Sequence, residues 1–139
     1  MTNNVERTVR EYYRIVGDLH CTEEQLLAIV APDAVFTEHP NPIAPRGNTR
    51  TVEQNLLGFR AGRALLSEQT IEVLEVLVSG DRAAVRATWS GTVGVGRGPF
   101  TAGTELTCVM AAFLTVRDNR IVVHDTYDCY PPLPVPANA

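Results

Sequence analysis

Ala31-Pro32-Asp33-Ala34-Val35-Phe36-Thr37-Glu38-His39-Pro40 is where the helical first part of this chain gives way to strands. Ala34 to His39 suits a short strand closed by Pro40, while Pro32 cannot continue a helix because its ring removes a backbone donor. Upstream, Thr22-Glu23-Glu24-Gln25 has capping-box spacing ahead of Leu26, Leu27, Ile29 and Val30, which predicts a second helix that Pro32 stops. Earlier still, Val5, Val9, Tyr12 or Tyr13, and Val16 recur at helical spacing, and Asn3 with Glu6 resembles a capping pair, so a first helix runs to about Gly17. Downstream, Pro42, Pro45 and Gly47 make a stiff loop, after which Asn48 or Thr49 is expected to cap a third helix. That helix carries Val52, Leu56, Phe59 and Leu66 on one side and ends near Ser67.

From there the pattern becomes β-like. Thr70 to Val78 is followed by a turn at Ser79-Gly80-Asp81 and a strand from Ala83 to Val93. A Gly-rich loop from Gly94 to Gly103 leads to a strand over Thr104 to Val116, and Arg117-Asp118-Asn119 turns the chain into a last strand, Arg120 to Tyr130. Helices gathered ahead of a meander of long strands imply an α+β domain, with one face of an antiparallel or mixed sheet curling around three N-terminal helices. Residues 1–130 are expected to form one domain and 131–139 a Pro-rich tail.

Composition narrows the function classes. The chain has 139 residues, 45% hydrophobic and 20% charged, with a net charge of −4, which suits an ordinary globular domain. Clustered Lys and Arg are what neutralise phosphates, and here the basic residues are scattered, so no nucleic-acid partner is expected. All twelve are Arg, which excludes Schiff-base chemistry and a lysine general base. Cys21, Cys108 and Cys129 are widely spaced and odd in number, so buried thiols are expected in place of disulfides or a zinc site. No apolar run approaches the roughly 20 residues that cross a bilayer, and Met1-Thr2-Asn3-Asn4-Val5-Glu6 lacks the basic flank and apolar stretch of a signal peptide. A cytoplasmic protein without membrane contact is expected.

The stretch from Ala31 to Pro40, together with Gly80-Asp81-Arg82-Ala83-Ala84-Val85-Arg86 and Asn119-Arg120-Ile121-Val122-Val123, resembles the nuclear transport factor 2-like superfamily. That superfamily includes ketosteroid isomerases, SnoaL-like polyketide cyclases, scytalone dehydratases and limonene epoxide hydrolases. The resemblance covers most of the chain and is nearest to the SnoaL-like domain. It implies a cone-shaped sheet with a pocket in its open end, no cofactor, no metal, and a homodimer. Such motifs identify a fold better than a reaction.

The resemblance also suggests site residues. His39 stands where the isomerases carry the base before the proline, and an imidazole can accept a proton at neutral pH. If His39 faces inward, Val35 and Thr37 do too, while Glu38 becomes a surface carboxylate. The inward set of the middle strand would be Val85, Ala87 and Trp89, with Trp89 a wall for a ring-bearing ligand. On the last strand His124, Thr126, Asp128 and Tyr130 share one face, and Val123, Asp125, Tyr127 and Cys129 the other. The resemblance favours the His124 face, with Thr126 at the position of the family acid and Asp128 one inward step beyond. Asp128 is thus a candidate to pair with His39 or His124. Ala112 falls where the isomerases hold a protonated acid, which argues against steroid isomerisation, while Tyr13 on the first helix remains a candidate oxygen-stabilising donor.

The expected function is a cofactor-independent isomerase, cyclase or dehydratase with His39, Asp128, His124 and Tyr13 as its catalytic groups. Trp89, Phe59, Thr126 and Met110 would contact a small apolar or ring-containing substrate. The alternative is a noncatalytic ligand-binding or dimerising domain, marked by a pocket filled with Trp89, Phe59 and Phe113. Gly94-Val95-Gly96-Arg97-Gly98 lacks the Lys and helix of a phosphate loop and reads as a loop or lid. His20, His39 and His124 are too dispersed for a metal triad.

Overall fold

The computed structural model describes residues 3–133, so most of the expected tail, residues 134–139, lies outside the described residues, as do residues 1 and 2. The described elements run α1 (Asn4–Val16), α2 (Glu23–Ile29), β1 (Val30–Glu38), β2 (Asn48–Arg50), α3 (Val52–Leu65), β3 (Leu66–Ser79), β4 (Arg82–Val93), β5 (Glu105–Arg117) and β6 (Arg120–Cys129). They form an α+β fold in which one curved, unclosed six-stranded sheet carries the helices on its inner face.

Local chemistry accounts for the boundaries. The Asn3 side chain accepts from the Val5 amide at 2.7 Å and starts α1. Thr22 and Gln25 close a reciprocal capping box at α2, which ends at Ile29, before Pro32 is reached. The third helix departs from expectation. Asn48 and Thr49 do not cap it, because residues 48–50 pair with β1 as a short edge strand, Phe36 opposite Arg50 and Glu38 opposite Asn48. Thr51 caps it instead, in a second box with Gln54. Two-residue hairpins with positive φ at both turn residues match the right-handed twist of paired strands, and Asp118 and Asn119 at φ 52° and 60° connect β5 to β6 in this way.

The strand order is β2-β1-β6-β5-β4-β3. β6 therefore inserts between β1, to which it runs parallel, and β5, to which it runs antiparallel. Alternation sends Ala83, Val85 and Ala87 of β4, Ala112 and Leu114 of β5, and Ala34 and Phe36 of β1 into the core. Val9, Tyr12, Tyr13 and Ile15 of α1 and Leu26 of α2 meet them there. The small side chains of Ala83, Ala87 and Ala112 let α1 lie close against the sheet.

α3 is different. None of its 14 residues is buried, and one stripe of it, Asn55, Gly58, Phe59, Gly62 and Arg63, faces an open hollow. The spacing of three and four residues is that of a helix face meant for packing. Here it carries two glycines and two polar groups, so the helix walls a space where it would otherwise fill a core.

No helix among the described residues is long and apolar enough to cross a membrane.

Candidate functional site

Two adjoining hollows open between the helices and the sheet. The inner one, about 170 Å³, is lined by Tyr12, Tyr13, Phe36, Glu38, Ile71, Met110, His124, Thr126 and Asp128, among others. The outer one, about 250 Å³, is lined by Leu19, Gly58, Phe59, Gly62, Arg63 and Gln69, and it shares Tyr12, Val16, Arg50 and Asn55 with the first.

Sheet register explains how the polar groups meet. Glu38, Thr126 and Ala112 stand side by side on β1, β6 and β5, and Asp128 lies beside Met110 one inward step further on. The Thr126 hydroxyl donates to Asp128 Oδ1 at 2.6 Å. Glu38 is more fully engaged: its Oε2 accepts from Asn41 Nδ2 at 2.8 Å and its Oε1 faces Arg50 Nη2 at 3.5 Å. Asn41, itself buried, also accepts from the Ile43 and Ala44 amides, so this carboxylate is tied into the Pro-rich loop.

α1 completes the wall with Tyr13, whose hydroxyl lies 3.5 Å from His124 Nε2. Tyr12 and Phe36 crowd the same imidazole at ring separations of 5.4 and 5.9 Å. Burial disfavours its charged form, while Asp125 pulls the other way, and the pKa falls to about 4. His124 is therefore neutral at pH 7. Burial, countered by the Thr126 hydrogen bond and raised further by Glu38, lifts the Asp128 carboxyl above its ordinary value. Burial likewise pushes the Tyr12 and Tyr13 phenols up, keeping both as proton donors.

Five of the eight expected site residues, Tyr13, His124, Asp128, Thr126 and Met110, line the inner hollow, and Phe59 lines the outer one. His39 does not enter either, and the expectation that its ring projects inward is corrected. Phe36 is 3% exposed and fixes the inward parity of β1, so Glu38 faces in and Val35, 43% exposed, faces out. His39 lies on the outer face. There its Nε2 is 2.5 Å from Asp125 Oδ1, and its ring stacks on Tyr127 with centroids 4.0 Å apart.

Trp89 has the expected inward parity on β4, but it lines neither hollow; its Nε1 donates to Gln69 Oε1 at 2.9 Å, and its ring covers Gly91. Phe113 is 47% exposed on the outer face and enters neither hollow. Residues 94–103 contribute to neither hollow; Gly94 and Val95 donate instead to the Leu65 carbonyl at the end of α3. The three imidazoles are apart, His20 exposed, His39 outside and His124 inside.

Sequence reasoning missed Glu38, Arg50 and Asn55. Phe36 held the signal for Glu38, since the bulkiest apolar residue of a short strand sets which parity is buried. Arg50 carried no comparable signal, because its position depends on residues 48–50 pairing as a strand.

A family model described as a SnoaL-like domain matches residues 9–124. No curated protein matches the chain. Among solved structures, the chain is similar to IdmH, a candidate polyketide cyclase from Streptomyces antibioticus, at 27% identity and TM-score 0.74, over 91% of this chain and 92% of that one. It is also similar to an NTF2-like protein of unknown function from Burkholderia pseudomallei, at 24% identity and TM-score 0.67, over 94% and 92% of the two chains. A candidate polyketide cyclase from Acidithiobacillus ferrooxidans matches at 17% identity and TM-score 0.69, over 92% and 89%. The last two likenesses concern the fold alone.

Proposed function

The chain belongs to the SnoaL-like domain family, and from that membership we propose that it is a cofactor-independent isomerase, cyclase or dehydratase in which Asp128 moves the proton. The observation that carries this is a raised-pKa carboxyl in the inner hollow, bonded to Thr126 through one oxygen. Its other oxygen has no hydrogen-bond partner among those described. Glu38 has both oxygens engaged, which leaves it a positioning role.

The chemistry follows from the surroundings. A carbonyl compound seated with its α-carbon at Asp128 gives up a proton to the carboxylate, whose lifted pKa makes it a stronger base than an exposed Asp. Negative charge then develops on the carbonyl oxygen, where the Tyr13 hydroxyl and the N–H of neutral His124 are the available donors. Return of the proton to another carbon completes an isomerisation; its delivery to a departing hydroxyl completes a dehydration. A family resemblance and an inner wall of Tyr12, Phe36, Ile71 and Met110 support a small ring-containing substrate. Three free cysteines accord with a cytoplasmic setting. Exposed Val35, Val109, Phe113, Val123 and Tyr127 on the outer face support a homodimer.

The test is hydrogen–deuterium exchange at the α-carbons of 2-tetralone, followed by proton NMR. Wild-type protein is expected to accelerate exchange, Asp128→Asn to lose roughly a hundredfold or more of that acceleration, and His39→Ala to keep it. Full acceleration in folded Asp128→Asn would remove Asp128 from the role. Binding of the ketone without exchange by the wild type would favour the noncatalytic ligand-binding alternative.

A further inference from the structure

We propose that the outer hollow is an anion subsite, and that the substrate is therefore a ring-bearing organic acid whose carboxylate sits between Arg50 and Arg63. This rests on the reading of the inner hollow as the place of chemistry and adds the substrate class to it.

The wall of the outer hollow holds two guanidinium groups, two amides and a phenol, Arg50, Arg63, Asn55, Gln69 and Tyr12, and no carboxylate among the residues that line it. The Nε atoms of both arginines are buried and have no hydrogen-bond partner among the described residues. A buried donor left unpaired is costly, and one that belongs to a cation more so. Each guanidinium is also held in place. Arg63 donates through Nη1 to the Leu19 carbonyl and through Nη2 to the Asp18 carbonyl at 3.1 Å, with the Phe59 ring 4.1 Å beneath its central carbon. Arg50 leans on Glu38 at 3.5 Å and lies against Gly58, where an added Cβ would come within 3.0 Å of its Nη1.

Charge selects the ligand. Glu23, whose carboxylate also senses Arg63, is already bound through both oxygens by Arg60. Glu38 lies 3.5 Å from Arg50, while no carboxylate lines the outer hollow beside Arg63, and a monoanion seated there supplies one. A carboxylate offers the planar pair of acceptors that guanidinium groups recognise. Because Arg50 borders both hollows, an acid group seated there directs the rest of the molecule toward Asp128. The stripe of Gly58 and Gly62 leaves the space; a Cβ at Gly62 would meet nothing within 4 Å.

The experiment compares binding of 2-naphthoate and neutral 2-naphthylmethanol by calorimetry at pH 7 and low salt. Wild-type protein is expected to prefer the acid by about tenfold or more, and Arg63→Gln or Arg50→Gln to bring the two within about threefold. Gly62→Glu places a competing carboxylate in the hollow without depending on either arginine, and it is expected to abolish the preference, whereas Gly62→Gln retains it. Asp128→Asn is expected to keep it too. Equal affinities in the wild type, or a preference that survives Gly62→Glu, would overturn the subsite while leaving the inner hollow as a binding place; absence of binding by both compounds would overturn both.

Discussion

His124 has its pKa drawn down to about 4 by burial among Tyr12, Tyr13 and Phe36, against about 6.5 in an unfolded chain. Between those values the unfolded state binds the extra proton, so this group's contribution is complete above pH 6.5 and is lost as the pH falls toward 4. The shift corresponds to at most about 3 kcal/mol. Asp128, raised by burial, acts in the opposite sense, stabilising at low pH and losing that contribution as the pH rises through its folded value. Urea midpoints are expected to drop from pH 7 to pH 4.5 in the wild type, to drop more steeply in Asp128→Asn, and to flatten in His124→Gln. A midpoint that rises on acidification would contradict the burial of His124. Alternation along β6 tied residues 124, 126 and 128 to one face, and the family resemblance pointed to that face as the inward one. The orientation of His39 was not legible in the sequence. Proximity to Pro40 suggested a site, but whether residue 38 or 39 faces inward is set by Phe36 and by the partner strand.

α3 shows what element-scale patterning reveals and what it leaves open. Its existence was plain from Val52, Leu56 and Phe59, yet its start was misplaced by two or three residues, because Asn48, Thr49 and Thr51 are all capping residue types. Pairing of residues 48–50 with β1, a contact between segments, decided among them. Thr51→Ala removes a hydroxyl that accepts from the Gln54 amide at 3.3 Å and is expected to cost about 1 kcal/mol in thermal or urea unfolding. Gly62→Ala is expected to gain up to about 1 kcal/mol, since the added methyl meets no neighbour and alanine favours the helix. Gly58→Ala should gain less, because Arg50 must shift to admit the methyl. The glycines thus weaken a helix whose inward stripe borders the outer hollow, a trade between stability and cavity space. No periodicity rule reports that trade, as glycine in a helix reads only as a weak former.

Over the whole molecule, the α+β class and the helices, with all strands but β2, followed from hydrophobic pattern and family resemblance, while β2 and the exterior of the sheet were harder to foresee. Phe113, Asp125 and Thr37 lie abreast on β5, β6 and β1 on that outer face, with Tyr127 and His39 beside them. In a homodimer through this face, paired substitution Phe113→Glu with Tyr127→Glu is expected to halve the mass seen by sedimentation to that of the 15.2 kDa chain and to leave the urea midpoint of the subunit little changed. An unchanged mass would exclude the face as the contact. The insertion of β6 between β1 and β5 bears on biosynthesis. A ribosome delivers the N-terminal neighbour of this strand some ninety positions before its partner slot can be filled. A nascent chain halted short of residue 120 therefore has two raw sheet margins and lacks His124, Thr126 and Asp128 altogether. Completion of the sheet and arrival of the reactive groups are therefore one late event, since a single strand supplies both.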